Sequence, residues 1–387
     1  MHTPRSDVLI IGGGVIGTSI AYFLSCRGVR VILLDKGELA GGTSGACDGL
    51  IFLQSKKPGL HLRLALASQE LYAELKEELP RPIGYQNKGG LVVMEHESEI
   101  LAMQAYVHKQ QENGLEVKLL DRQQLLEIEP CLSPKLFGAA FSPLDSQVDP
   151  IALTQALALG ARERGAELVP RTEVLNITRT RVGMHAVHTR SERFETEILV
   201  NATGVWAPEI GTLLGLDLPI TPRRGQILVT ESLPPLLGKS LISARYMSAK
   251  YLTAGQDGPQ GGGVSMEQTE NGNLLLGSTR EFAGMNPKTT LSGLQTVARA
   301  AAGIIPSLRD VQIIRSFAGL RPYTPDGFPI LGRVPECPGL ILAAGHEGDG
   351  IALAPITGRL IAELIVDGRP SLPIEAFSFE RFHTGHA

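Results

Sequence analysis

The order of apolar and polar positions predicts a strand, a helix and a second strand at the start of the chain. An apolar run over residues 7–11 leads into glycines and then into a helix, and a second apolar run covers residues 29–34. Strands that alternate with helices are typical of a parallel α/β sheet. The pattern resumes after residue 150, with a helix predicted over residues 151–164 and a strand over residues 193–202.

Short strands and turns dominate the middle of the chain. The predicted strands lie at residues 89–94, 168–169, 174–175, 226–231 and 274–277. Asn271-Gly272 is a dipeptide that favours a hairpin, and the glycine-rich residues 255–263 are predicted to form a mobile loop tip. Further helices are predicted over residues 58–79, 98–113, 121–128, 291–304 and 351–366.

These patterns divide the chain into two intimately joined domains, because 387 residues are long for a single core. We expect a Rossmann-like nucleotide-binding domain built from discontinuous segments, residues 1–85, 145–225 and 319–387. An inserted antiparallel β-sheet domain for the substrate would comprise residues 86–144 and 226–318. The predicted fold class is therefore α/β combined with α+β, with a ligand at the junction of the domains.

The first turn has the features that a dinucleotide requires. Gly12 would make the tight turn, Gly14 would let the backbone approach a pyrophosphate, and Gly17 would let the helix pack on the strand. The N-terminus of the helix presents free N–H groups to the phosphates. Asp35, at the end of the second strand, is placed to accept hydrogen bonds from a ribose.

The same segment has two alternative interpretations. One is a glycine-rich turn that binds no ligand. The second is a targeting segment, because residues 8–24 are almost wholly apolar and Phe23-Leu24-Ser25-Cys26 loosely resembles a lipoprotein cleavage site. A signal peptide needs a basic start and a continuous apolar centre, and Asp7 and four glycines fit that requirement poorly.

Composition narrows the class of protein. A net charge of −4 offers no electrostatic case for binding nucleic acid. Outside residues 8–24, no stretch reaches the length of a membrane span. The four cysteines are scattered without a CxxC pair, so the sequence predicts neither a disulfide framework nor a metal site. We interpret them as reduced thiols of a cytoplasmic protein.

A second glycine-rich stretch follows Asp35. Residues 36–49 contain five glycines together with Thr43 and Ser44. Small side chains allow close backbone approach, so this stretch can wrap a flat ligand.

Seven blocks in a fixed order resemble one enzyme family. The blocks are residues 12–17 with Asp35, Gly41-Gly42-Thr43-Ser44, Asn201-Ala202-Thr203-Gly204-Val205-Trp206-Ala207, Arg224-Gly225-Gln226-Ile227, Gly277-Ser278-Thr279-Arg280-Glu281, residues 318–327 and residues 345–351. Across essentially its whole length the chain is similar to D-amino-acid-oxidase-type flavoproteins. The resemblance is strongest to glycine and sarcosine oxidases, the hydrogen cyanide synthase subunit, and β-subunits of bacterial proline, hydroxyproline and opine dehydrogenases.

The resemblance implies FAD as the cofactor. It also implies non-covalent attachment, since no cysteine lies near the Arg321-Pro322-Tyr323-Thr324 block. The loop over residues 345–350 and the helix after it would face the N1–C2=O edge of the flavin, where a positive helix end favours reduction. The cofactor-binding residues implied by motif and family are Gly12, Gly14, Val15, Ile16, Gly17, Asp35, Lys36, Gly42, Thr43, Ser44, Gly49, Val174, Ala202, Thr203, Gly204, Trp206, Gly225, Arg321, Gly345, Glu347, Gly348, Gly350 and Ile351.

Three residues are candidates for the substrate side of the site. The family resemblance implies that Arg321 grips a substrate carboxylate, which a guanidinium fork matches in two parallel hydrogen bonds. The alternative is a structural arginine that caps a carbonyl or pairs with Asp326. Tyr246 is expected as a pocket tyrosine, with a half-buried sheet tyrosine as its alternative. His346 is expected near the flavin.

The chain departs from glycine oxidase at Glu347 and Asp349, where that enzyme carries a large or basic residue. Acids at these positions would repel a second substrate carboxylate and would instead meet an amine. They resemble the β-subunits of imino-acid dehydrogenases more closely than the free oxidases. The alternative is a solvated loop.

The resulting hypothesis is oxidation of the C–N bond of a small amino or imino acid, of the proline, hydroxyproline, sarcosine, glycine or opine class. A hydride would pass from the α-carbon to flavin N5 and give an imine. Alternatives are a catalytic β-subunit of a multi-subunit dye-linked dehydrogenase and, less favoured, a non-catalytic flavin-binding module. The substrate, the electron acceptor and the choice between homo-oligomer and hetero-oligomer with electron-transfer subunits stay open.

Overall fold

The computed structural model describes residues 4–180, 183–250 and 263–383. The strands are β1 (Arg5–Ile11), β2 (Val31–Leu34), β3 (Leu50–Ile51), β4 (Gly90–Met94), β5 (Lys118–Leu120), β6 (Gly138–Ser142), β7 (Ser146–Gln147), β8 (Glu167–Val169), β9 (Asn176–Arg179), β10 (His185–His188), β11 (Arg193–Asn201), β12 (Thr221–Ser232), β13 (Ser240–Ser243), β14 (Ser265–Gln268), β15 (Asn273–Gly277), β16 (Ile313–Tyr323), β17 (Ile330–Arg333) and β18 (Leu340–Ala344).

The helices connect these strands and cover the sheets. They are α1 (Val15–Ser25), α2 (Leu60–Glu78), α3 (Glu99–Glu112), α4 (Arg122–Ile128), α5 (Pro150–Glu163), α6 (Ala207–Thr212), α7 (Ala244–Lys250), α8 (Leu291–Ile304) and α9 (Gly350–Val366). Short 3₁₀ turns include Thr43–Gly45 and Gly204–Trp206. In the described part of the chain, no helix combines the length and the apolar character that crossing a bilayer requires.

The first sheet has the order β17-β18-β11-β1-β2-β8, and its central strands run parallel. β10 adds to β11 in antiparallel fashion and carries β9. Alternate residues of β1 enter different cores: Val8 and Ile10 pack on one face and Leu9 and Ile11 on the other. A strand that is buried on both faces must be apolar throughout, which explains its continuous hydrophobic run.

Close packing of α1 fixes the geometry of this sheet. α1 packs against α5 and α9. An added Cβ at Gly17 would lie 1.9 Å from the carbonyl oxygen of Gly12, and one at Gly358 of α9 would lie 2.2 Å from Ser19 Oγ. The Ser19 hydroxyl also donates to the carbonyl of Ala354 at 2.8 Å. Glycine is therefore required at both of these contacts of α1.

The second sheet has the order β16-β12-β15-β14-β13-β4-β6-β5. Its pairs are antiparallel except for β13 with β4. β12 and β16 pair along nearly their whole length, from Thr221 opposite Tyr323 to Thr230 opposite Ile313. α8 packs on this sheet through Val297, Ala301 and Ile304.

The mixed α/β fold class is confirmed, and so are the predicted helices, within one to two residues at each end. The hairpin at Asn271-Gly272 is also confirmed: Gly272 has φ +84° and joins β14 to β15. The predicted loop tip over residues 255–263 lies outside the described residues except for Gly263.

The strand predicted at residues 174–175 is wrong, because the strand begins only at Asn176. The residues before it are held as a loop, in which the amide of Thr172 donates to the carbonyl of Asp35 at 2.7 Å. The strands β3, β5, β6, β7, β10 and β13 and the short helices α6 and α7 had no counterpart in the prediction. Two predicted domain boundaries, at residues 225 and 319, fall inside β12 and β16. The division into two domains stays a prediction.

The packing of α1 against α9 predicts a destabilising substitution with a matched control. Gly358→Ala would place a methyl group into the backbone and hydroxyl of Ser19, and overpacking of this kind costs about 1–3 kcal/mol. Gly303→Ala in α8 meets nothing within 4 Å and is expected to leave stability unchanged or to raise it slightly. Denaturant unfolding of both variants measures the difference. Equal stability of the two variants would contradict this account of the packing.

Candidate active site

A cavity of about 520 Å³ lies at the carboxyl ends of β1, β2 and β11, where the first sheet meets β12 and β16. Ligands of open α/β sheets bind at this edge. The residues that line the cavity are Ile11, Gly12, Gly14, Val15, Ile16, Asp35, Lys36, Gly37, Glu38, Gly41, Gly42, Thr43, Ser44, Ala46, Cys47, Asp48, Leu50, Thr172, Glu173, Val174, Ala202, Thr203, Gly204, Trp206, Glu209, Ile210, Gly225, Ile227, Tyr246, Gly319, Arg321, Pro322, Ala343, Ala344, His346, Glu347, Gly348, Gly350 and Ile351.

The turn after β1 opens the N-terminus of α1 to the cavity. Gly12 has φ +112°, and a Cβ there would lie 2.5 Å from the carbonyl oxygen of Ala202. Gly14 is the N-cap residue and supplies no side-chain cap. The Ser44 hydroxyl accepts a hydrogen bond from the amide of Val15 at 3.0 Å. The start of α1, with the positive end of the helix dipole, lines the cavity through Gly14, Val15 and Ile16.

Asp35 lies beside this turn. Its Oδ2 accepts from the amide of Gly13 at 2.6 Å and its Oδ1 from the amide of Gly37 at 2.7 Å. Each carboxylate oxygen has a further lone pair that can receive a ribose hydroxyl. Nearby, the ammonium of Lys36 lies 4.1 Å from the centre of the Trp206 ring, so this end of the cavity offers an apolar wall beside polar groups.

Arg321 defines the other end of the cavity. It lies on β16 opposite Arg223 of β12. Its guanidinium group covers Gly225, where a Cβ would lie 2.4 Å from Nη1. Nη1 donates to the carbonyl of Thr279 at 3.1 Å, and Nη2 donates to the hydroxyl of Ser278.

The structure separates the two structural alternatives for Arg321. Among the described residues no acid forms an ion pair with it, and Asp326 is bound instead by Arg381, with Nε 2.7 Å from Oδ2. The contacts to the Thr279 carbonyl and the Ser278 hydroxyl do exist, yet they use one N–H of Nη1 and one of Nη2, and a guanidinium group has five N–H donors. Arg321 lines the cavity and retains the capacity to bind an anion there.

Tyr246 lies on α7 rather than in a sheet, so the interpretation as a sheet tyrosine is wrong. It lines the cavity, and its hydroxyl lies 3.3 Å from Ser278 Oγ. The guanidinium group of Arg280 lies 4.7 Å from the centre of its ring. The tyrosine thereby joins the cavity wall to a buried arginine.

Glu347 and Asp349 do not form a solvated loop, because both are buried. Glu347 Oε1 lies 2.7 Å from Arg280 Nη1 and 3.6 Å from Arg223 Nη1. Asp349 pairs with Lys56 at 2.7 Å and does not line the cavity. Both acids are therefore neutralised by residues of this chain, which corrects the expectation that they would be available to a substrate amine.

His346 is buried at the cavity wall. Its Nε2 lies 3.1 Å from Thr357 Oγ1. Burial lowers the pKa of His346 to about 3, so the ring is neutral at physiological pH. A neutral ring in this position can shape the cavity and exchange a hydrogen bond, but it cannot act as a cationic acid.

Three predicted cofactor residues do not line the cavity: Gly17, Gly49 and Gly345. Gly17 is required for the contact between α1 and the turn after β1. A Cβ at Gly49 would lie 1.8 Å from the carbonyl oxygen of Val148, and one at Gly345, which has φ +76°, would lie 2.7 Å from Thr324 Cγ2. Chain packing and turn geometry explain these glycines without a contact to a cofactor.

Sequence reasoning did not single out Asp48, which lines the cavity beside Cys47. Asp48 Oδ2 accepts from the hydroxyl of Ser265 at 3.1 Å. Burial raises the pKa of Asp48, and the nearby guanidinium groups of Arg321 and Arg280 oppose that rise. An acid among small residues in a stretch predicted to wrap a ligand was the signal that could have identified it.

Two further groups beside Asp48 are held uncharged by burial. Burial, followed by the charge of Asp48, raises the pKa of Glu267 to about 8, and the amide of Gly49 donates to Glu267 Oε1 at 2.8 Å. Burial also raises the pKa of Cys47 well above its usual value. Cys47 is therefore a protonated thiol and a poor nucleophile.

Comparison with known proteins identifies the family. A family model described as FAD dependent oxidoreductase matches residues 7–364. Glycine oxidase from Geobacillus kaustophilus is 32% identical, over 99% of this chain and 98% of that protein, and the solved structure of glycine oxidase from this organism superposes with a TM-score of 0.88, covering 98% of this chain and 99% of that chain.

Two more solved structures are similar over nearly their whole length. L-Proline dehydrogenase from P. horikoshii has a TM-score of 0.90 and 29% identity, covering 99% of each chain. Iminodiacetate oxidase from Chelativorans sp. has a TM-score of 0.82 and 26% identity, covering 96% of this chain and 98% of that chain. The chain belongs to the FAD dependent oxidoreductase family, and FAD is its cofactor.

The residues at the first end of the cavity fit FAD. Gly14 carries no side chain at the N-terminus of α1, which lines the cavity and has no side-chain cap. Gly12 also lines the cavity, and its turn geometry and the nearby carbonyl of Ala202 require a glycine. These groups would hold the phosphates, and Asp35 would hold the adenosine ribose. The N-terminus of α9, which begins at Gly350, lies at the opposite wall of the same cavity.

The first end of the cavity generates a prediction about FAD retention. Heat-denatured protein is expected to release FAD into the supernatant, because attachment is non-covalent. Asp35→Ala is expected to weaken FAD binding by about 1.5–3 kcal/mol, since it removes hydrogen bonds to a charged group. Gly14→Val should weaken it further, because a branched side chain would occupy the space of the pyrophosphate. Absorbance of bound and released flavin measures all three.

Flavin that stays with the precipitated chain would contradict non-covalent attachment, and Cys47 would then be the residue to examine. Normal FAD content in both variants would show that the pyrophosphate and ribose lie elsewhere. Gly303→Ala, far from the cavity and in open space, is the matched glycine control and should retain full FAD.

Proposed function

We propose that this flavoprotein oxidises the C–N bond of a small amino or imino acid. The observation that carries the proposal is Arg321, whose guanidinium group faces the cavity without an acidic partner among the described residues. Arg321 is half-buried and has no acidic partner among the described residues, so a bound carboxylate could pair with its guanidinium group in charge-assisted hydrogen bonds. The relatives named glycine oxidase, L-proline dehydrogenase and iminodiacetate oxidase have substrates that share a carboxylate next to a C–N bond.

The residues of the cavity wall suit a mechanism in which the cofactor performs the redox step and the side chains position the substrate. Bound FAD supplies the hydride acceptor. Arg321 would bind the substrate carboxylate in two parallel hydrogen bonds and thereby fix the position of the α-carbon. Tyr246 and the neutral His346 would line the space around the substrate, and no acid–base step is assigned to either of them.

The remaining predicted contacts concern the cofactor. We infer that Val15, Ile16, Lys36, Gly42 and Thr43 contact FAD along the first glycine-rich turn and the loop after Asp35. The residues inferred to complete the FAD contacts are Ser44, Val174, Ala202, Thr203, Gly204, Trp206, Gly225, Glu347, Gly348, Gly350 and Ile351. All of them line the same cavity, which supports a single elongated ligand.

The electron acceptor is a separate question. Similarity to a protein named a dehydrogenase at a TM-score of 0.90 favours, as a second candidate, transfer of electrons to a partner subunit or dye rather than to oxygen. The experiment is to supply glycine, sarcosine, proline, hydroxyproline and D-amino acids to the purified holoenzyme. Hydrogen peroxide formation indicates an oxidase, and dye reduction without peroxide indicates a dehydrogenase. No reduction of the flavin by any amino or imino acid would overturn the proposed function.

Arg321 generates the main kinetic prediction. Arg321→Ala is expected to lower kcat/KM by roughly two to three powers of ten, because it removes a charge-assisted contact of about 3–4 kcal/mol. Arg321→Lys keeps the charge but loses the planar fork, so it should also be impaired. FAD content should stay near normal in both. Steady-state kinetics and the flavin spectrum provide the measurements.

The control for this prediction is Arg299→Ala, an exposed arginine on α8 that is expected to keep full activity. Loss of FAD or of the folded state in Arg321→Ala would assign the residue a structural role. Unchanged kcat/KM with every active substrate would place the carboxylate elsewhere.

Gly225 offers a way to move Arg321 without removing it. Gly225→Ala would place a Cβ 2.4 Å from Nη1 and 2.6 Å from Cζ of Arg321. The end of an arginine side chain can shift, so the protein should fold normally while the guanidinium group leaves its position. We expect binding of a simple carboxylate such as acetate, followed by the flavin spectrum, to weaken about tenfold or more, which corresponds to 1.4 kcal/mol. Undiminished acetate binding would show that Gly225 does not set the position of Arg321.

A further inference from the structure

The acidic residues at the Arg321 end of the cavity differ in whether they have an ion-pair partner. Glu347 is held by Arg280 and Arg223, and Asp349 is held by Lys56. Asp48 differs from both. Within the described ranges it has no ion-pair partner, and its side-chain oxygen Oδ2 is bound by the hydroxyl of Ser265.

The loop that carries Asp48 is fixed against the strand that carries Arg321. The Thr43 hydroxyl donates to the carbonyl of Leu320 at 2.5 Å. A Cβ at Gly319 would lie 2.1 Å from the carbonyl oxygen of Ala46, so loop and strand touch through their backbones. Asp48 and Arg321 therefore lie at the same end of the cavity. In the described part of the chain, neither the carboxylate of Asp48 nor the guanidinium group of Arg321 forms an ion pair.

We propose that Asp48 binds the nitrogen of the substrate and accepts the proton that this nitrogen must lose before oxidation. This inference rests on the proposed function. An amino or imino acid in water is a zwitterion, with a carboxylate and an ammonium group. Arg321 would pair with the carboxylate and Asp48 with the ammonium group. The substrate would thereby add a charge of opposite sign beside each of these two residues.

The proton transfer is simple to balance. An N–H bond of the ammonium group breaks, its electron pair stays on nitrogen, and an O–H bond forms on the carboxylate of Asp48. The nitrogen then has the lone pair that C=N formation requires. The proton is later lost from Asp48 to water.

The surroundings of Asp48 favour this role. Burial raises its pKa, which makes its carboxylate a stronger base than an exposed aspartate. The charged and titratable groups that face it are Arg321 on β16, Arg280 after β15, Glu267 on β14 and the thiol of Cys47 on its own loop. The charges of the two arginines lower the pKa of Asp48 and so oppose the effect of burial. Burial raises the pKa of Glu267 to about 8 and the pKa of Cys47 well above its usual value.

The test compares an amine-bearing ligand with one that has only a carboxylate. Asp48→Asn keeps the size and the possible hydrogen bond to Ser265 but removes the charge. With the amino or imino acid that the holoenzyme oxidises fastest, we expect kcat/KM near neutral pH to fall by about 10²–10³-fold. The dissociation constant of acetate, measured from the flavin spectrum, should stay within about threefold or become smaller. Arg321→Ala, in contrast, should weaken the binding of acetate as well as the binding of the substrate. The two variants are therefore expected to differ in their affinity for acetate.

The pH profile supplies a readout that a structural role would not move. Without Asp48 only the neutral amine can react, so kcat/KM of Asp48→Asn should rise about tenfold per pH unit up to the pKa of the substrate amine. The wild-type profile should be much flatter in that range. Asp48→Glu keeps a carboxylate and should restore part of the activity, whereas Glu267→Gln, which alters the neighbouring buried acid, should not reproduce the effect.

Several outcomes would overturn the inference. Unchanged kcat/KM in Asp48→Asn, an equal loss of acetate and substrate binding, a loss of FAD, or the same phenotype in Glu267→Gln would each do so. If the wild-type holoenzyme oxidises no amino or imino acid at all, the proposed function fails, and this inference falls with it. If the wild type is active and Asp48→Asn is unaffected, the role inferred for Asp48 is refuted and the proposed function stands.

Discussion

The pairing of β12 with β16 is the interaction on which the site depends. These two strands belong to the second sheet, yet they run past the cavity that the first sheet opens. Two glycines make the arrangement possible. Gly225 on β12 leaves room for the guanidinium group of Arg321, and Gly319 on β16 lets the loop at Ala46 cross the strand by its backbone. Since the two glycines lie opposite each other in the register, a shift by one residue would displace both contacts at once.

Neutralisation of buried charge determines which polar groups remain available to a ligand. Placing a carboxylate in a low-dielectric interior costs several kcal/mol unless a partner is present. The chain meets that requirement at Glu347 with two arginines and at Asp349 with Lys56. Arg321 and Asp48 form no ion pair in the described part of the chain, although the charge of Arg321 lowers the pKa of Asp48, so these two groups remain open to a ligand.

Local patterns predicted the α-helices except α6 and α7, the glycine turn and several of the strands, because periodicity and glycine placement report on contacts between residues close in sequence. Local patterns do not indicate contacts between residues that are far apart in the sequence. Glu347 and Asp349 were interpreted as available acids, since nothing in the sequence links them to Arg280 or to Lys56, which is nearly 300 residues away. Asp48 was overlooked for the same reason: its importance follows from the approach of the loop at Ala46 to β16, and the sequence alone does not indicate that approach. Gly49 and Gly345 show the converse, because a glycine within a family motif can be required by packing alone.

Asp349 illustrates how one buried ion pair can support a cofactor site without touching it. Asp349 is the N-cap residue of α9, but its side chain makes no cap hydrogen bond and binds Lys56 instead. A free carboxylate at this position would offset the positive end of the helix dipole, which is equivalent to about half an elementary charge. Because Lys56 pairs with Asp349, the negative charge of that carboxylate is offset at the start of α9. The amide of Gly348 is already used, since it donates to Glu347 Oε2. The ion pair thereby leaves the positive end of the α9 dipole uncancelled beside the cavity that Gly350 and Ile351 line.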